Sequence, residues 1–291
     1  MNYRLILVAE KMSHEILAST QQKLAAKGFI FDSDVILSDS GHRAEISFNS
    51  VQDQHQLKEL LRQTLAGSAI DGFVLERDHH LAPQLLIMDM DSTLVQAETI
   101  DQIAKHVGRM DEVAAITESA MRGELDFTAS LKKRVAMLEG LSKTELEQVH
   151  QALPLTSGAE ALIRAAKVHN CMTVLVSGGF TYFAQPIADQ IGIDEVYANE
   201  LAFENDRLTG SVIGTIVDAE FKQKTLNRII QERAIQRQQT IAIGDGANDL
   251  LMLKDAGVGI AFHGKPRVQE QAQAVINRYG LEALQWLLNW H

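Results

Sequence analysis

The sequence predicts an α/β fold, in which a doubly wound, mostly parallel sheet carries an inserted helical segment and follows a small α+β domain. Three observations predict it. Short, continuously apolar runs recur from residue 85 onward, and such runs are typical of strands buried on both faces of a parallel sheet. Helical patterns separate these runs, which favours a doubly wound fold. Before residue 80, four β-rich runs alternate with only two helical patterns.

The first eighty residues are predicted to form a domain of their own. Its strands are predicted at residues 3–8, 29–37, 43–48 and 72–75. Ser13 is a suitable N-cap for the first helix, and Gly28 is suited to end it. The second helix is indicated by apolar residues at helical spacing, Leu57, Leu60, Leu61 and Leu65. The order β-α-β-β-α-β is the ferredoxin-like arrangement, and residues 78–83 form a polar linker.

Residues 81–291 are predicted to form the second domain. Its buried strands are predicted at residues 85–88, 172–176, 240–243 and 258–261. Residues from about 98 to 155 are helical in pattern and rich in charge. We therefore expect a helical cap, inserted between the first of these strands and the rest of the domain.

Composition excludes several classes of function. The 291 residues include 27 Lys and Arg against 38 Asp and Glu, a formal charge of −11, which argues against nucleic acid and anionic membranes as partners. A total charge says nothing against a small anionic substrate. The single cysteine, Cys171, fits a reducing compartment. No apolar stretch is long enough for a bilayer and no signal-peptide pattern is present, so we expect a cytoplasmic protein.

Polar residues follow the apolar runs, at the edge where open α/β sheets bind ligands. Asp89 and Asp91 follow the first run and point the same way if the chain stays extended. Two adjacent carboxylates repel each other, so that one takes up a proton or both share a cation. Ser177 and Gly178 follow the second run, and residues 244–249 add two carboxylates after the third. The sequence therefore predicts an acidic centre beside a Ser-Gly-Gly loop.

These residue types suit phosphoryl transfer. Oxygen ligands with waters are what Mg²⁺ prefers, and a carboxylate can attack phosphorus to form an aspartyl-phosphate. A second carboxylate, when protonated, can donate to the leaving oxygen. Lys222, at the start of a predicted helix, and the Ser-Gly-Gly donors can stabilise charge on the equatorial oxygens. An Asp-x-Asp pair by itself is also compatible with a surface turn or with a metal-dependent glycosyltransferase.

Taken together, the motifs resemble a known superfamily. Residues 89–93, Ser177, Lys222 and residues 244–249 resemble the four ordered motifs of the haloacid dehalogenase superfamily of phosphatases. The resemblance covers about residues 83–291 and is closer still to the phosphoserine phosphatase family. That family carries a glutamate soon after the first motif and a Met/Phe/Arg set in its cap. The matching residues here are Glu98, Met121, Phe127 and Arg134.

The resemblance implies a role for each residue. Asp89 is the nucleophile and Asp91 the acid and base. The implied ligands of Mg²⁺ are Asp89, the main-chain carbonyl of Asp91, and Asp245. The implied phosphate ligands are Ser177, Gly178 and Lys222. Support for the substrate and the metal waters is implied for Asn248 and Asp249. In the cap, Glu98 meets the substrate ammonium and Arg134 its carboxylate, while Met121 and Phe127 either wall the site or only pack the cap.

We therefore expect Mg²⁺-dependent hydrolysis of O-phospho-L-serine to L-serine and phosphate, the last step of serine biosynthesis. A phosphotransferase, a phosphatase for another small phosphate ester, and an amino-acid sensor acting through residues 1–80 stay open as alternatives. Residues 1–80 resemble, in pattern only, the ACT-like extension that some of these phosphatases carry. The expected partner is a small-molecule substrate, with no nucleic acid and no membrane, and a homodimer is left open.

Overall fold

Two β-sheets organise the chain. The computed structural model describes residues 2–79 and 81–290, apart from the side chains of residues 33, 34 and 121. A four-stranded sheet in the order β2-β3-β1-β4 lies in the N-terminal part, and a seven-stranded sheet in the order β11-β10-β9-β5-β6-β7-β8 follows. In the described part of the chain, no helix combines the length and the apolar character needed to cross a membrane.

The N-terminal sheet is antiparallel and carries two helices. Its elements are β1 (Asn2–Val8), α1 (His14–Ala25), β2 (Ile30–Leu37), β3 (Arg43–Asn49), α2 (Gln54–Leu65) and β4 (Asp71–Glu76). Ser13 Oγ accepts from the N–H of Ile16 at 3.2 Å, which caps α1. Gly28 follows that helix with φ of +93°, a left-handed conformation that glycine adopts without strain. The likeness of this segment to ACT-like domains and the domain boundaries stay predictions.

β1 is buried on both faces. Leu5 and Leu7 belong to the apolar cluster beneath α1 and α2, whereas Ile6 and Val8 belong to the core of the second sheet. Alternate side chains of a strand point to opposite faces, so one strand serves two cores. The two apolar cores therefore lie on opposite faces of the same strand.

The second sheet is parallel except for its last strand, since β8 runs antiparallel to β7. Its strands are β5 (Leu85–Met88), β6 (Met172–Phe180), β7 (Glu195–Glu204), β8 (Arg207–Ile213), β9 (Thr240–Gly244), β10 (Val258–Phe262) and β11 (Ala274–Ile276). All residues of β5, β9 and β10 are buried. The predicted doubly wound, mostly parallel α/β fold is confirmed.

Helices cover both faces of this sheet and fill the insertion after β5. The inserted helices are α3 (Thr99–His106), α4 (Met110–Met121), α5 (Phe127–Ala136) and α6 (Lys143–Gln151). The remaining helices are α7 (Ala159–Val168), α8 (Thr181–Ile191), α9 (Ala219–Glu232), α10 (Leu250–Asp255), α11 (Pro266–Gln271) and α12 (Glu282–Leu288). The inserted helix α5 packs on the edge strand β8, which anchors the insertion to the sheet.

The strand predicted at residues 172–176 is longer than predicted. β6 continues through the Ser-Gly-Gly segment to Phe180, and its register with β7 shifts between Val176 and Phe180. The apolar pattern stops at Val176 because the following residues are small and polar, but glycines allow a bulge inside a strand. The prediction that this strand ends before Ser177 is therefore wrong. The antiparallel β7–β8 hairpin was also not predicted.

Candidate active site

The predicted site residues meet at the carboxyl ends of three neighbouring strands. β5 lies between β6 and β9. The strands β6, β7 and β8 follow on one side of β5, and β9, β10 and β11 follow on the other side. Such a switch in strand order opens a crevice at the sheet edge. Asp89 directly follows β5, Asp245 directly follows β9, and Ser177 lies in the last part of β6.

Lys222 joins two buried carboxylates at this edge. Its Nζ donates to Asp89 Oδ2 at 2.8 Å and to Asp249 Oδ1 at 2.7 Å. All three side chains are 5% exposed or less. Asp245 is close by, and oxygen atoms of Asp89, Asp245 and Asp249 lie within 4.8 Å of one another. Two buried carboxylates thus share one ammonium group, and a third carboxylate lies beside them.

The pKa values follow from this crowding. Burial raises the pKa of Asp245 to about 7, and the charges of Asp249 and Asp89 add to the effect. Burial also raises the pKa of Asp249, and the charge of Asp89 acts in the same direction. Burial by itself lowers the pKa of Lys222, but Asp249 and Asp89 outweigh it and the pKa is raised. Lys222 therefore stays an ammonium, while the carboxyl groups of Asp245 and Asp249 favour a further proton or a cation.

This donor set fits a magnesium ion. The cluster offers only oxygen ligands, which suit a hard divalent cation, and it carries more negative than positive charge. A bound cation would offset the repulsion that raises the carboxyl pKa values. The residues present are therefore compatible with Mg²⁺.

Two glycines in the turn after β9 leave room for the Asp249 side chain and bind it. The N–H of Gly246 donates to Asp249 Oδ2 at 3.0 Å, and a Cβ on Gly244 would lie 2.5 Å from the same oxygen. A larger residue at position 244 would push the carboxylate away from Lys222. Asn248 is half-buried in this turn, and its Oδ1 lies next to Gly246.

Asp91 occupies a different environment from Asp89. The chain does not stay extended, because the N–H of Leu94 donates to the carbonyl of Met90 at 2.8 Å and closes a turn. The condition under which Asp89 and Asp91 would point the same way, an extended chain, is therefore not met. Thr99 holds the Asp91 carboxyl with its N–H at 3.1 Å and with its hydroxyl.

The Asp91 carboxyl tends to keep a proton. Burial raises its pKa to about 8, and the nearby charges of Glu98 and Asp89 contribute. A Cβ on Gly179 would lie 2.8 Å from Asp91 Oδ2, so glycine is needed for this close approach. Asp91 therefore tends to be protonated at neutral pH, and a protonated carboxyl beside a second carboxyl group is an arrangement that general acid catalysis uses.

The Ser-Gly-Gly segment is held by a residue that sequence analysis missed. Ser177 is fully buried, and its Oγ accepts from the N–H of Gly179 at 2.9 Å. Asn199 Nδ2 donates to the carbonyl of Gly178 at 2.8 Å, and Asn199 Oδ1 accepts from the N–H of Val217 at 2.9 Å. Asn199 therefore ties the β6 bulge to the segment that leads into α9 and Lys222. The strand that carries Asn199 also holds Glu195, Glu200 and Glu204, so its sequence did not single out Asn199.

The inserted helices place Phe127 and Arg134 over the sheet edge. A Cβ on Gly178 would lie 3.2 Å from Phe127 Cζ, so the ring packs on the Ser-Gly-Gly segment. Arg134 is half-buried, and its Nε is a buried donor with no hydrogen-bond partner among the described residues. The side chain of Met121 lies outside the described part of the structure.

Arg134 lies close enough to Asp91 and two other carboxylates for their charges to act on it. Burial lowers the pKa of Arg134, while the carboxylates of Asp101, Glu98 and Asp91 act in the opposite direction. Glu98 directly precedes α3, and its carboxylate accepts from Ser92 Oγ at 2.8 Å. One cation and one anion of the insertion therefore lie near Asp91. Thr99, the other residue that sequence analysis missed, follows Glu98 directly.

Known proteins share this arrangement in sequence. A family model described as haloacid dehalogenase-like hydrolase matches residues 86–254. The chain is 50% identical over 205 residues to the phosphoserine phosphatase of Haemophilus influenzae, a match that spans 70% of this chain and 65% of that protein. It is 47% identical over 197 residues to the phosphoserine phosphatase of Idiomarina loihiensis, spanning 68% and 90%, respectively.

The fold is shared as well. A solved structure of a HAD-family hydrolase from Salmonella enterica subsp. enterica serovar Typhi matches with a TM-score of 0.87 and 28% identity. The match covers 99% of this chain and 98% of that one. The sequence match, the shared fold and the carboxylate centre agree with one another, and the chain belongs to the haloacid dehalogenase-like hydrolase family.

Proposed function

We propose that the chain is a cytoplasmic, Mg²⁺-dependent phosphatase that hydrolyses O-phospho-L-serine to L-serine and phosphate, the last step of serine biosynthesis. The observation that carries the proposal is the Lys222 ammonium bonded to both Asp89 and Asp249, beside the Asp91 carboxyl. The relatives named phosphoserine phosphatase support the choice of substrate.

The reaction divides into two displacements. In the first, a carboxylate oxygen of Asp89 attacks phosphorus, and the bond from phosphorus to the serine oxygen breaks. The protonated Asp91 donates its proton to that leaving oxygen. In the second, Asp91 takes a proton from a water molecule whose oxygen attacks phosphorus, and the bond to Asp89 breaks. Phosphate leaves, and Asp91 is protonated again.

The phosphate group requires donors around its oxygens. Ser177 Oγ already accepts from a backbone N–H, so its hydroxyl proton is free to donate. The N–H of Gly178 and the ammonium of Lys222 supply further donors, and Asn248 supports the substrate. Donors fixed before the reaction stabilise charge that develops on the equatorial oxygens.

The metal is assigned to the same edge. Asp89, Asp245 and the main-chain carbonyl of Asp91 would hold Mg²⁺, and Asp249 would support its waters. When bound, the ion supplies charge neutralisation and polarises a phosphate oxygen. The Lys222 ammonium donates to Asp89 Oδ2 at 2.8 Å and holds the nucleophile in place.

The cap residues account for an amino-acid substrate. Arg134 has an unpaired buried N–H and suits a carboxylate, for which guanidinium geometry is favourable. Glu98 suits an ammonium group, and Phe127 closes the crevice over Gly178. A phosphate ester without a carboxylate would leave Arg134 unpaired, which disfavours such a substrate.

Steady-state kinetics on two esters test the proposal. We expect Arg134→Ala to lower kcat/KM for phosphoserine by about 100-fold, since a hydrogen bond to a charged group contributes ~1.5–3 kcal/mol. Hydrolysis of glycerol phosphate, which has no carboxylate, should change little. Arg122→Ala is the matched control, because Arg122 is an exposed cap arginine paired with Glu124. Equal losses on both esters would contradict the role of Arg134 in substrate choice.

The nucleophile has its own test. Asp89→Asn should abolish phosphate release while the far-ultraviolet circular dichroism stays that of the wild type. Wild-type turnover of phosphoserine by this variant would refute the covalent mechanism. Activity without Mg²⁺ in the presence of a chelator would refute the metal requirement.

A further inference from the structure

A cavity outside the active site lies between the two sheets. Its volume is about 550 Å³, and it is bounded by α2 and β4 on one side and by α11 and β11 on the other. This volume falls in the range of about 300–1,000 Å³ that is usual for small-molecule sites. None of the residues placed in the candidate active site lines it.

The floor of the cavity is apolar. Leu61, Leu65 and Val74 line it from the N-terminal part, and Ala274 and Val275 line it from β11. Water against such a surface is readily displaced by an apolar group, which favours burial of a hydrocarbon or aromatic body. We therefore expect a ligand of this cavity to carry an apolar group that packs on these side chains.

Several polar groups at the cavity already have partners. Arg62 Nη2 lies 2.7 Å from Glu59 Oε1. The Asp71 carboxylate accepts from the N–H of Asn277 at 2.9 Å and from the N–H of Arg278 at 3.1 Å. These groups hold the walls together and have little capacity left for a ligand.

Lys58 differs from these groups. It lines the cavity from α2 and is half-buried, yet it makes no hydrogen bond or ion pair with the residues that the structure describes. Burial lowers its pKa, as expected for an ammonium without a counter-ion. The Arg278 guanidinium is exposed at the rim, whereas the charge of Glu270, on the same rim, acts on Arg62. The lining holds equal numbers of basic side chains (Lys58, Arg62 and Arg278) and acidic ones (Glu59, Asp71 and Glu270). Lys58 is the one of these that is half-buried and has no partner among the described residues.

We propose that this cavity binds a small organic anion, with its charged group on Lys58 and its apolar body on the floor of leucine and valine side chains. A carboxylate, sulfonate or phosphate could pair with Lys58. The site is separate from the phosphatase centre, so it stands whether or not the proposed substrate is correct.

Binding of 8-anilinonaphthalene-1-sulfonate to the full chain tests the proposal, because this probe joins aromatic rings to one sulfonate. We expect saturable binding with enhanced fluorescence. Lys58→Met keeps the apolar stem and removes the charge, and it should raise Kd at least tenfold. Ala66→Phe, at the exposed mouth, should weaken binding without changing charge. Lys11→Met, an exposed lysine outside the cavity, should leave Kd within twofold.

Competition defines the ligand class. Benzoate should displace the probe from the wild type, and the neutral benzamide should displace it at least tenfold less effectively. Wild-type affinity in Lys58→Met, or equal displacement by benzoate and benzamide, would overturn the proposal. Lys58→Met removes a charge that is partly buried and unpaired, so it should not lower the melting temperature; that measurement confirms that the variant is folded.

Discussion

Replacing Lys222 by methionine should destabilise the protein in a way that depends on pH. Lys222 Nζ contacts Asp89 Oδ2 at 2.8 Å and Asp249 Oδ1 at 2.7 Å, and it is 1% exposed. Methionine keeps most of the apolar stem but leaves both buried carboxylates without their cation. Removing one partner of a buried ion pair costs about 3–5 kcal/mol. At about 2–4 °C per kcal/mol for proteins of a similar size, the melting temperature should fall by roughly 10 °C.

The sign of the pH effect follows from the pKa shifts. Burial already raises the pKa of Asp249 in the folded wild type, and Lys222 acts against that shift. Without Lys222 the folded-state pKa rises further, while in the unfolded chain it is about 3.9. A raised folded-state pKa means that stability is greatest at low pH and is lost as pH rises through the folded pKa. Adding a proton to one carboxyl of the variant relieves the repulsion. At pH 5.5 this protonation costs about 2 kcal/mol, because pH 5.5 lies about 1.6 units above the unfolded-state pKa and each unit costs 1.36 kcal/mol.

Thermal unfolding followed by circular dichroism, in the presence of a metal chelator, measures both effects. The loss of stability relative to the wild type should be about 2 kcal/mol at pH 5.5 and 3–5 kcal/mol at pH 8. Lys224→Met is the matched control, since Lys224 lies on the same helix, is 74% exposed and pairs with the exposed Glu220. A Lys222→Met variant that melts within 2 °C of the wild type at pH 8, or whose loss shrinks as pH rises, would refute the reasoning.

Three further substitutions probe the supports of the site. Asn199→Ala should lower stability by about 2–4 kcal/mol, because it leaves the Gly178 carbonyl and the Val217 N–H unpaired; urea unfolding measures this. Thr99→Val should lower kcat for phosphoserine about tenfold by removing a hydroxyl donor to Asp91, and an unchanged kcat would contradict it. Asp245→Asn should raise the melting temperature in chelator by several degrees, because a carboxyl with a pKa of about 7 is lost. The same variant should lose Mg²⁺-dependent activity, and calorimetry with phosphate-release assays checks the two effects.

The carboxylate centre could be predicted because it depends on a simple geometric rule. Apolar runs indicate buried parallel strands, and the carboxyl ends of such strands meet at one edge. Asp89, Asp245 and Ser177 follow three of these runs, and the structure places them at the ends of β5, β9 and β6. Lys222 lies on a helix, and its place in the centre was predicted from the resemblance to a family rather than from periodicity.

The supporting residues could not be predicted because their roles depend on contacts between distant segments. Asn199 is 21 residues from Gly178 and 18 from Val217 along the chain, and nothing local indicates either partner. Thr99 binds Asp91 only because a turn, not an extended strand, follows Asp89. Roles in substrate and metal binding, and the domain boundaries, stay predictions.

The burial of β1 on both faces has a consequence for how the protein can be divided. Ile6 and Val8 belong to the apolar core of the second sheet, whereas Leu5 and Leu7 belong to the apolar core of the N-terminal part. A fragment beginning after the linker would expose an apolar patch to water, and such patches promote association. We expect the two parts to unfold as one cooperative unit, so loss of the N-terminal segment would lower the solubility and the folding yield of the remaining part.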